Sequence, residues 1–198
     1  MDDFFYTTIT PITVKPKPQN KTRLLHVSCF DEQAKNIQGM LRSVRKVAEE
    51  RQDFELVIIG TGVDYQKNIG YAKTLNFPQE MLHFIGEQTP YEVAQWMQQS
   101  DAFIMFSRYE NAPVVLSECL AIGLPIISSN AGGIPEMVGT SEGILVPSEN
   151  ETMLSEVISN TLSHIENWDN NKIREKGLQY HQDIIGKQLY QLYLQLLG

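Results

Sequence analysis

The sequence predicts an α/β fold: an open parallel sheet of about six strands with helices on both faces. Three observations carry this. First, apolar runs of strand length recur at Leu24–Val27, Phe54–Ile59, Met81–Ile85, Ala102–Phe106, Pro125–Ser128 and Gly143–Val146. Several are apolar almost throughout, as expected of strands buried on both faces. Second, segments of helical apolar period separate most of them, which is the alternation of a parallel sheet with crossover helices. Third, glycine and proline fall at the junctions. The chain has 198 residues, 42% apolar and 9% aromatic. That is enough for one domain with a sizeable core, burying about 70% of its unfolded surface.

The elements follow in order. Residues 1–22 read as a tail or linker, because Pro11, Pro16 and Pro18 with Lys15 and Lys17 favour an extended chain. The domain is expected from residue 23 to 198. Leu24–Val27 is the first strand, Ser28–Asn36 a loop, and Ile37–Glu50 a helix whose stripe is Ile37, Met40, Leu41, Val44, Val47 and Ala48. Phe54–Ile59 ends in Gly60-Thr-Gly62. This is no dinucleotide fingerprint: it follows the second strand, and Tyr65 stands where a third glycine belongs. A helix is expected over Asp64–Leu75. After Met81–Ile85 and Gly86, Thr89-Pro90-Tyr91-Glu92 forms a capping box for a helix to Gln99. Ala102–Phe106 leads through a polar turn to Pro113, at a first helical position where its missing N–H is harmless. Gly123 closes that helix and Pro125 forbids its continuation. Pro125–Ser128 runs into a Gly132-Gly133 loop. Gly143–Val146 precedes a helix over Glu151–Ile165, and Ile184–Leu197 is a last helix whose apolar face lacks an evident partner in the sequence.

Composition excludes several functions. The net charge of −8 argues against a nucleic-acid binder. No apolar run reaches the roughly 20 residues that span a bilayer, and no signal peptide opens the chain. Two cysteines, Cys29 and Cys119, make no disulfide framework and favour a reducing, cytoplasmic compartment. The four histidines, at 26, 83, 164 and 181, are scattered, with no cysteine or carboxylate at metal-ligand spacing, so no metal site is expected. Ser107 and Ser117 lack a nucleophile-elbow sequence. From Thr74 to Asn171 there are thirteen carboxylates and one base, Arg108. Two readings of Arg108 stay open: an ordinary surface charge, or a partner for Glu110 or for an anionic ligand.

The most informative stretch is Ser107–Glu136. Glu110 and Glu118 are separated by seven residues across a helix start, followed by Ala121-Ile-Gly-Leu-Pro125 and Gly132-Gly-Ile-Pro-Glu136. In this order the segment resembles the donor-binding site of retaining glycosyltransferases with the two-domain GT-B fold. The resemblance covers roughly Leu24 to Pro147. It implies a Rossmann-like domain, one half of such a fold, that binds a nucleoside-diphosphate sugar without cofactor or metal. A missing N-terminal acceptor domain would be its partner. A role in cell-surface polysaccharide synthesis is implied, with peripheral contact at the inner face of the membrane left open.

Residue by residue, the resemblance implies the following. Glu110 is the catalytic carboxylate near the donor sugar, and Glu118 takes the ribose hydroxyls. Asn111, Ala112, Pro113 and Val114 present the helix amino terminus to the diphosphate. Lys35 contributes a point charge from the facing loop, and Arg108 is a further donor contact. Gly60 and Gly62 border the nucleotide pocket, and the backbone of Phe84, Ile85 and Gly86 touches the base. Independently, a lysine at a helix amino terminus is disfavoured unless an anion sits there, which supports Lys35. Cys29 stands where the family carries arginine. A degenerate, non-catalytic nucleotide-sugar-binding module is therefore an open alternative, as is a fragment of a nucleotide-sugar epimerase. A signalling receiver domain is disfavoured, since Gly86 and Glu87 follow the third strand where an aspartate is needed.

Overall fold

The computed structural model describes residues 1–9 and 13–197. Six strands form one sheet, all parallel: β1 (Thr22–Val27), β2 (Phe54–Ile59), β3 (Leu82–Gly86), β4 (Ala102–Met105), β5 (Ile126–Asn130) and β6 (Gly143–Pro147), in the spatial order β3-β2-β1-β4-β5-β6. The helices are α1 (Glu32–Lys35), α2 (Ile37–Val47), α3 (Tyr65–Thr74), α4 (Pro90–Gln98), α5 (Val114–Ile122), α6 (Ile134–Met137), α7 (Glu151–Ser163), α8 (Asn170–Gly177) and α9 (Gln182–Leu197).

Alternation along the strands builds two cores. Leu24, Leu56, Ile58 and Ile104 face α2, α3 and α7, whereas Leu25, Val57, Ile59, Phe103 and Met105 face α4, α5, α6 and α8. Both faces are dry, which is why the strands read as continuous apolar runs. The capping box at Thr89 and Glu92 is formed as the sequence predicts. Gly123 takes the left-handed conformation that ends α5.

Three elements differ from the sequence reading. The loop before α2 contains a helical turn, α1, capped by Asp31 and closed by left-handed Asn36. The Gly132-Gly133 loop runs into the one-turn helix α6. A helix, α8, lies between the two last helices. It has little apolar periodicity, only Ile173 and Gly177 being buried, so the sequence pattern did not reveal it.

Residues 1–9 and 13–21 lack regular structure apart from turns at Asp3–Phe5 and at residues 19–20, and the segment is tied to α4. Phe5 and Ile9 are buried in the core. The backbone N–H of Ile9 donates to Gln98 (3.0 Å), Thr13 Oγ1 donates to Gln95 (2.7 Å), and Lys17 pairs with Asp101 (2.6 Å). Pro11, one of the three prolines on which the tail reading rests, lies outside the described residues. At the amino end of the sheet, Arg23 and Glu55 form a buried ion pair (2.6 Å), and the guanidinium also binds the carbonyls of Lys15 and Pro16. That anchors the incoming segment. Among the described residues no helix is long and apolar enough to cross a membrane.

Candidate functional site

The strand order reverses between β1 and β4. The helix after β1 goes to one face and the helix after β4 to the other, opening a crevice beyond the carboxyl ends of these strands, where parallel sheets bind ligands. Residues 28–36 and 106–113 form its two walls.

Lys35 and Glu110 meet across the crevice. Their Nζ–Oε1 distance is 2.6 Å, with side chains 17% and 7% exposed. Ser107 Oγ donates to the same carboxylate oxygen at 2.7 Å. Lys35 is the last residue of α1, where the helix dipole favours a cation. The sequence argument that placed it at a disfavoured amino terminus is corrected accordingly: the extra helical turn reverses the dipole, and the counter-charge is Glu110.

Arg108 does not pair with Glu110. Its guanidinium donates to Glu149 (2.7 Å), to the Glu32 and Gln33 carbonyls (2.7 and 3.3 Å) and to Asn36 Oδ1 (2.7 Å), and its backbone N–H donates to Ala34 O (2.7 Å). Arg108 thus ties the β4 loop to α1 and holds Lys35 and Glu110 in reach of one another.

Asn111 and Ala112 are exposed and Pro113 half-buried. Pro113 takes the N-cap position, one residue before the first helical place expected of it, and no side chain caps α5. Val114 is 66% exposed. The loop is seated on Gly132 and Gly133. A Cβ on Gly132 would lie 1.7 Å from the Glu110 carbonyl oxygen, and one on Gly133 2.0 Å from that of Asn111. Glu118 is half-buried in α5. Burial raises its carboxyl to about 7, with Asp2 adding to the rise and the chain's amino group opposing it.

On the other wall, Gly60 and Gly62 permit the β2 loop to touch the β1 loop. Cβ atoms there would fall 1.9 Å from Ser28 O and 2.6 Å from Phe30 N. Phe84 joins Phe30 and Tyr65 in an aromatic cluster, with Phe30–Tyr65 centroids 4.9 Å apart. Ile85 packs against the core, and Gly86 takes a positive φ of 84° beside the Tyr65 hydroxyl. Cys29 is exposed.

Sequence reasoning missed His26. It is fully buried between β1 and β4, its Nδ1 2.8 Å from Ile104 O and its Nε2 2.7 Å from Ser28 Oγ. A carbonyl only accepts, so Nδ1 carries the proton, and neutral Nε2 accepts from the serine. Burial drives the imidazole down to about 4; the Ile104 bond and Glu110 oppose this, and Lys35 adds to it. A lone histidine near the end of an apolar strand carries no signal of this in the sequence. Among the described residues no group of three His, Cys, Asp or Glu side chains is placed to hold a metal ion. The arrangement is a cation, a hydroxyl and a carboxylate beside an uncapped helix start, with Glu118 half-buried farther along that helix. It suits a ligand that is anionic at one end and rich in hydroxyls at the other.

The family described as Glycosyl transferases group 1 matches residues 11–189. N-acetyl-alpha-D-glucosaminyl L-malate synthase of Bacillus anthracis is 31% identical over 115 residues, 58% of this chain and 29% of that protein. The structure superposes on sucrose-phosphate synthase of Thermosynechococcus elongatus with a TM-score of 0.81 at 23% identity, over 91% of this chain and 47% of the other. It superposes on Anabaena HepE, solved in complex with UDP and glucose, with a TM-score of 0.74 at 16% identity, over 89% and 49%. The chain spans less than a third of that curated relative and about half of each solved structure. The structural likeness is one of fold, a Rossmann-like half of the GT-B architecture, and the family match covers most of the sequence: the chain belongs to the group 1 glycosyl transferases.

Proposed function

We propose that this chain is the donor-binding part of a glycosyltransferase that moves a sugar from a nucleoside diphosphate to an acceptor, with retention and without a metal. The observation that carries the reading is the Lys35–Glu110 pair in the crevice at the strand-order reversal, beside the uncapped start of α5. Lys35 and the free N–H groups of α5 receive the diphosphate. Glu118 accepts from the ribose hydroxyls. Glu110, steadied by Ser107, faces the donor sugar. The rims at Gly60–Gly62 and Phe84–Gly86 enclose the base. When the sugar–oxygen bond breaks, its electron pair leaves with the diphosphate. Fixed positive groups there stabilise the developing charge. Arg108 serves indirectly, by fixing the loop that carries Glu110. HepE, with UDP and glucose bound, supports this ligand class, and relatives named as lipopolysaccharide and amylovoran glycosyltransferases support a role in surface polysaccharide synthesis.

A thermal-shift panel of UDP, GDP, ADP, CMP and their sugars, with and without a chelator, tests this. A ligand at about a hundred times its dissociation constant adds about 2.7 kcal/mol of stability. Stabilisation by at least one diphosphate, indifferent to chelator, is expected. Silence across the panel would overturn donor binding, and a strict metal requirement would overturn the metal-free chemistry.

A further inference from the structure

A second cavity lies at the opposite end of the sheet. Its volume is about 530 Å³, and it opens where β6, the edge strand, begins. The connection from α7 to α8 wraps past this edge and forms one wall, with Trp168 and Asn167. The last turn of α7 and its C-cap form another, with Asn160, Thr161 and His164, and Ser141 also lines the cavity.

Three properties define what fits. The first is the supply of hydrogen-bonding groups. The side chains of Ser141, Asn160 and Asn167 make no hydrogen bond to the described residues. His164 Nδ1 donates to Asn160 O at 3.0 Å, which leaves Nε2 as an acceptor when the ring is neutral.

Thr161 is more telling. It lines the cavity, the residue is 2% exposed, and its hydroxyl has no hydrogen-bond partner among the described residues. Two serines of the same helix satisfy theirs by donating to the carbonyl four residues back: Ser155 to Glu151 (2.8 Å) and Ser163 to Ser159 (3.0 Å). Buried hydroxyls are normally bonded, and threonine in a helix has two accessible χ1 wells.

The second property is charge. The two charged residues of the lining, Asp169 and Lys172, lie 3.8 Å apart and offset each other, and Asp169 also caps α8. The lining is thus near neutral in a chain of net charge −8. The third is the half-buried indole of Trp168, an apolar plate with a polar edge.

Amides, hydroxyls and an aromatic plate without net charge match a ligand that is uncharged, rich in hydroxyls and apolar on its ring faces. We propose that this cavity binds a neutral saccharide of one or two sugar units. The proposal does not rest on donor binding, because the two sites lie at opposite ends of the strands.

The test is titration of the ¹⁵N-labelled chain with glucose, galactose, mannose, N-acetylglucosamine, maltose and lactose. The Trp168 indole and the Asn160 and Asn167 side-chain amides are read by NMR. Saturable shifts at these groups are expected for at least one sugar, with a dissociation constant of about 1 mM or tighter. Asn160→Ala/Asn167→Ala, at two exposed positions, should weaken that binding at least tenfold while leaving the rest of the spectrum in place. Trp168→Phe keeps an aromatic plate and should weaken it less. Absence of saturation with every sugar, or shifts unaltered in the double variant, would overturn the proposal. So would tighter binding of glucose 6-phosphate than of glucose, which would make Lys172 the centre of an anion site. Shifts confined to the crevice beyond β1 and β4 would assign the sugar to the donor site and likewise overturn it.

Discussion

Lys35 is paired with Glu110, and this sets the expected pattern of substitutions. Lys35→Ala should weaken nucleoside diphosphate binding about tenfold, in line with one lost charge-assisted bond. The loss should be greater for the diphosphate than the monophosphate, and added salt should narrow the difference in calorimetric titrations. Glu110→Ala frees Lys35, so affinity for the bare diphosphate should hold or rise while sugar-bearing donors bind less well. Equal losses for both ligands would contradict separate roles. Glu118 gives a pH dependence. Its carboxyl rises from an ordinary 4.5 to about 7, so the folded chain keeps a proton that the unfolded chain releases. The associated stability is fully present below about pH 4.5 and is lost as pH climbs through 7, by about 1–3 kcal/mol. In urea titrations Glu118→Gln should lose this slope and be the more stable protein at pH 8. If the carboxylate form takes the ribose, wild-type affinity for a nucleoside diphosphate should increase between pH 6 and 8, and that of Glu118→Gln should stay flat.

At the scale of elements, the β4 loop is held from below by glycines and from the side by Arg108. Gly133 has an ordinary φ of −83°, so its requirement is steric rather than conformational. Gly133→Ala places a methyl 2.0 Å from Asn111 O and must lift the loop carrying Glu110. A loss of about 2 kcal/mol or more is expected, together with weaker diphosphate binding. Gly70→Ala, in α3 with open space around it, is the control and should be neutral or stabilising by up to about 1 kcal/mol. The last helix behaves differently. Ile185, Leu189, Leu192, Tyr193 and Leu196 of α9 are all exposed, although such an apolar stripe is ordinarily core or docking surface, and among the described residues α9 contributes no buried residue. Deleting residues 182–198 should change the unfolding free energy by less than about 1 kcal/mol and should reduce binding of a hydrophobic dye. A large loss of stability would show that α9 packs on the domain in solution.

For the molecule as a whole, coverage sets the expectation. The chain aligns to about half of sucrose-phosphate synthase and of HepE. Among the described residues, the crevice beyond β1 and β4 is bounded by one sheet. Donor binding should survive in such a chain, while acceptor binding and exclusion of water should be poor. Incubated with its best-binding nucleotide sugar and an acceptor panel, the 198-residue chain is expected to release nucleotide far more slowly than about 1 per second. Acceptor-dependent turnover at that rate would show that the chain, or an oligomer of it, suffices.

The sequence by itself determined what is local or periodic. Six strands and most helices were legible because burial on two faces demands continuous apolar runs, and because proline and glycine end elements by backbone sterics. Glu110, Glu118 and Gly132-Gly133 stood together in the sequence as a motif, whereas Lys35 was expected from the family resemblance and from a helix-start argument that the structure reverses. Elements too short or too polar to carry a stripe, α1, α6 and α8, were not. Only the tertiary structure decided which charges meet. Lys35 and Glu110 are 75 residues apart in the chain, and the adjacency of β1 and β4 joins them. The same adjacency brings Glu32, Gln33 and Asn36 under Arg108, so the lone base of the acidic half became a tie between loops. It also buries His26 as a neutral ring between two strands. A residue's type fixes which bonds it can make. Which partners come within 3 Å depends on strand order and register, and no local pattern encodes those.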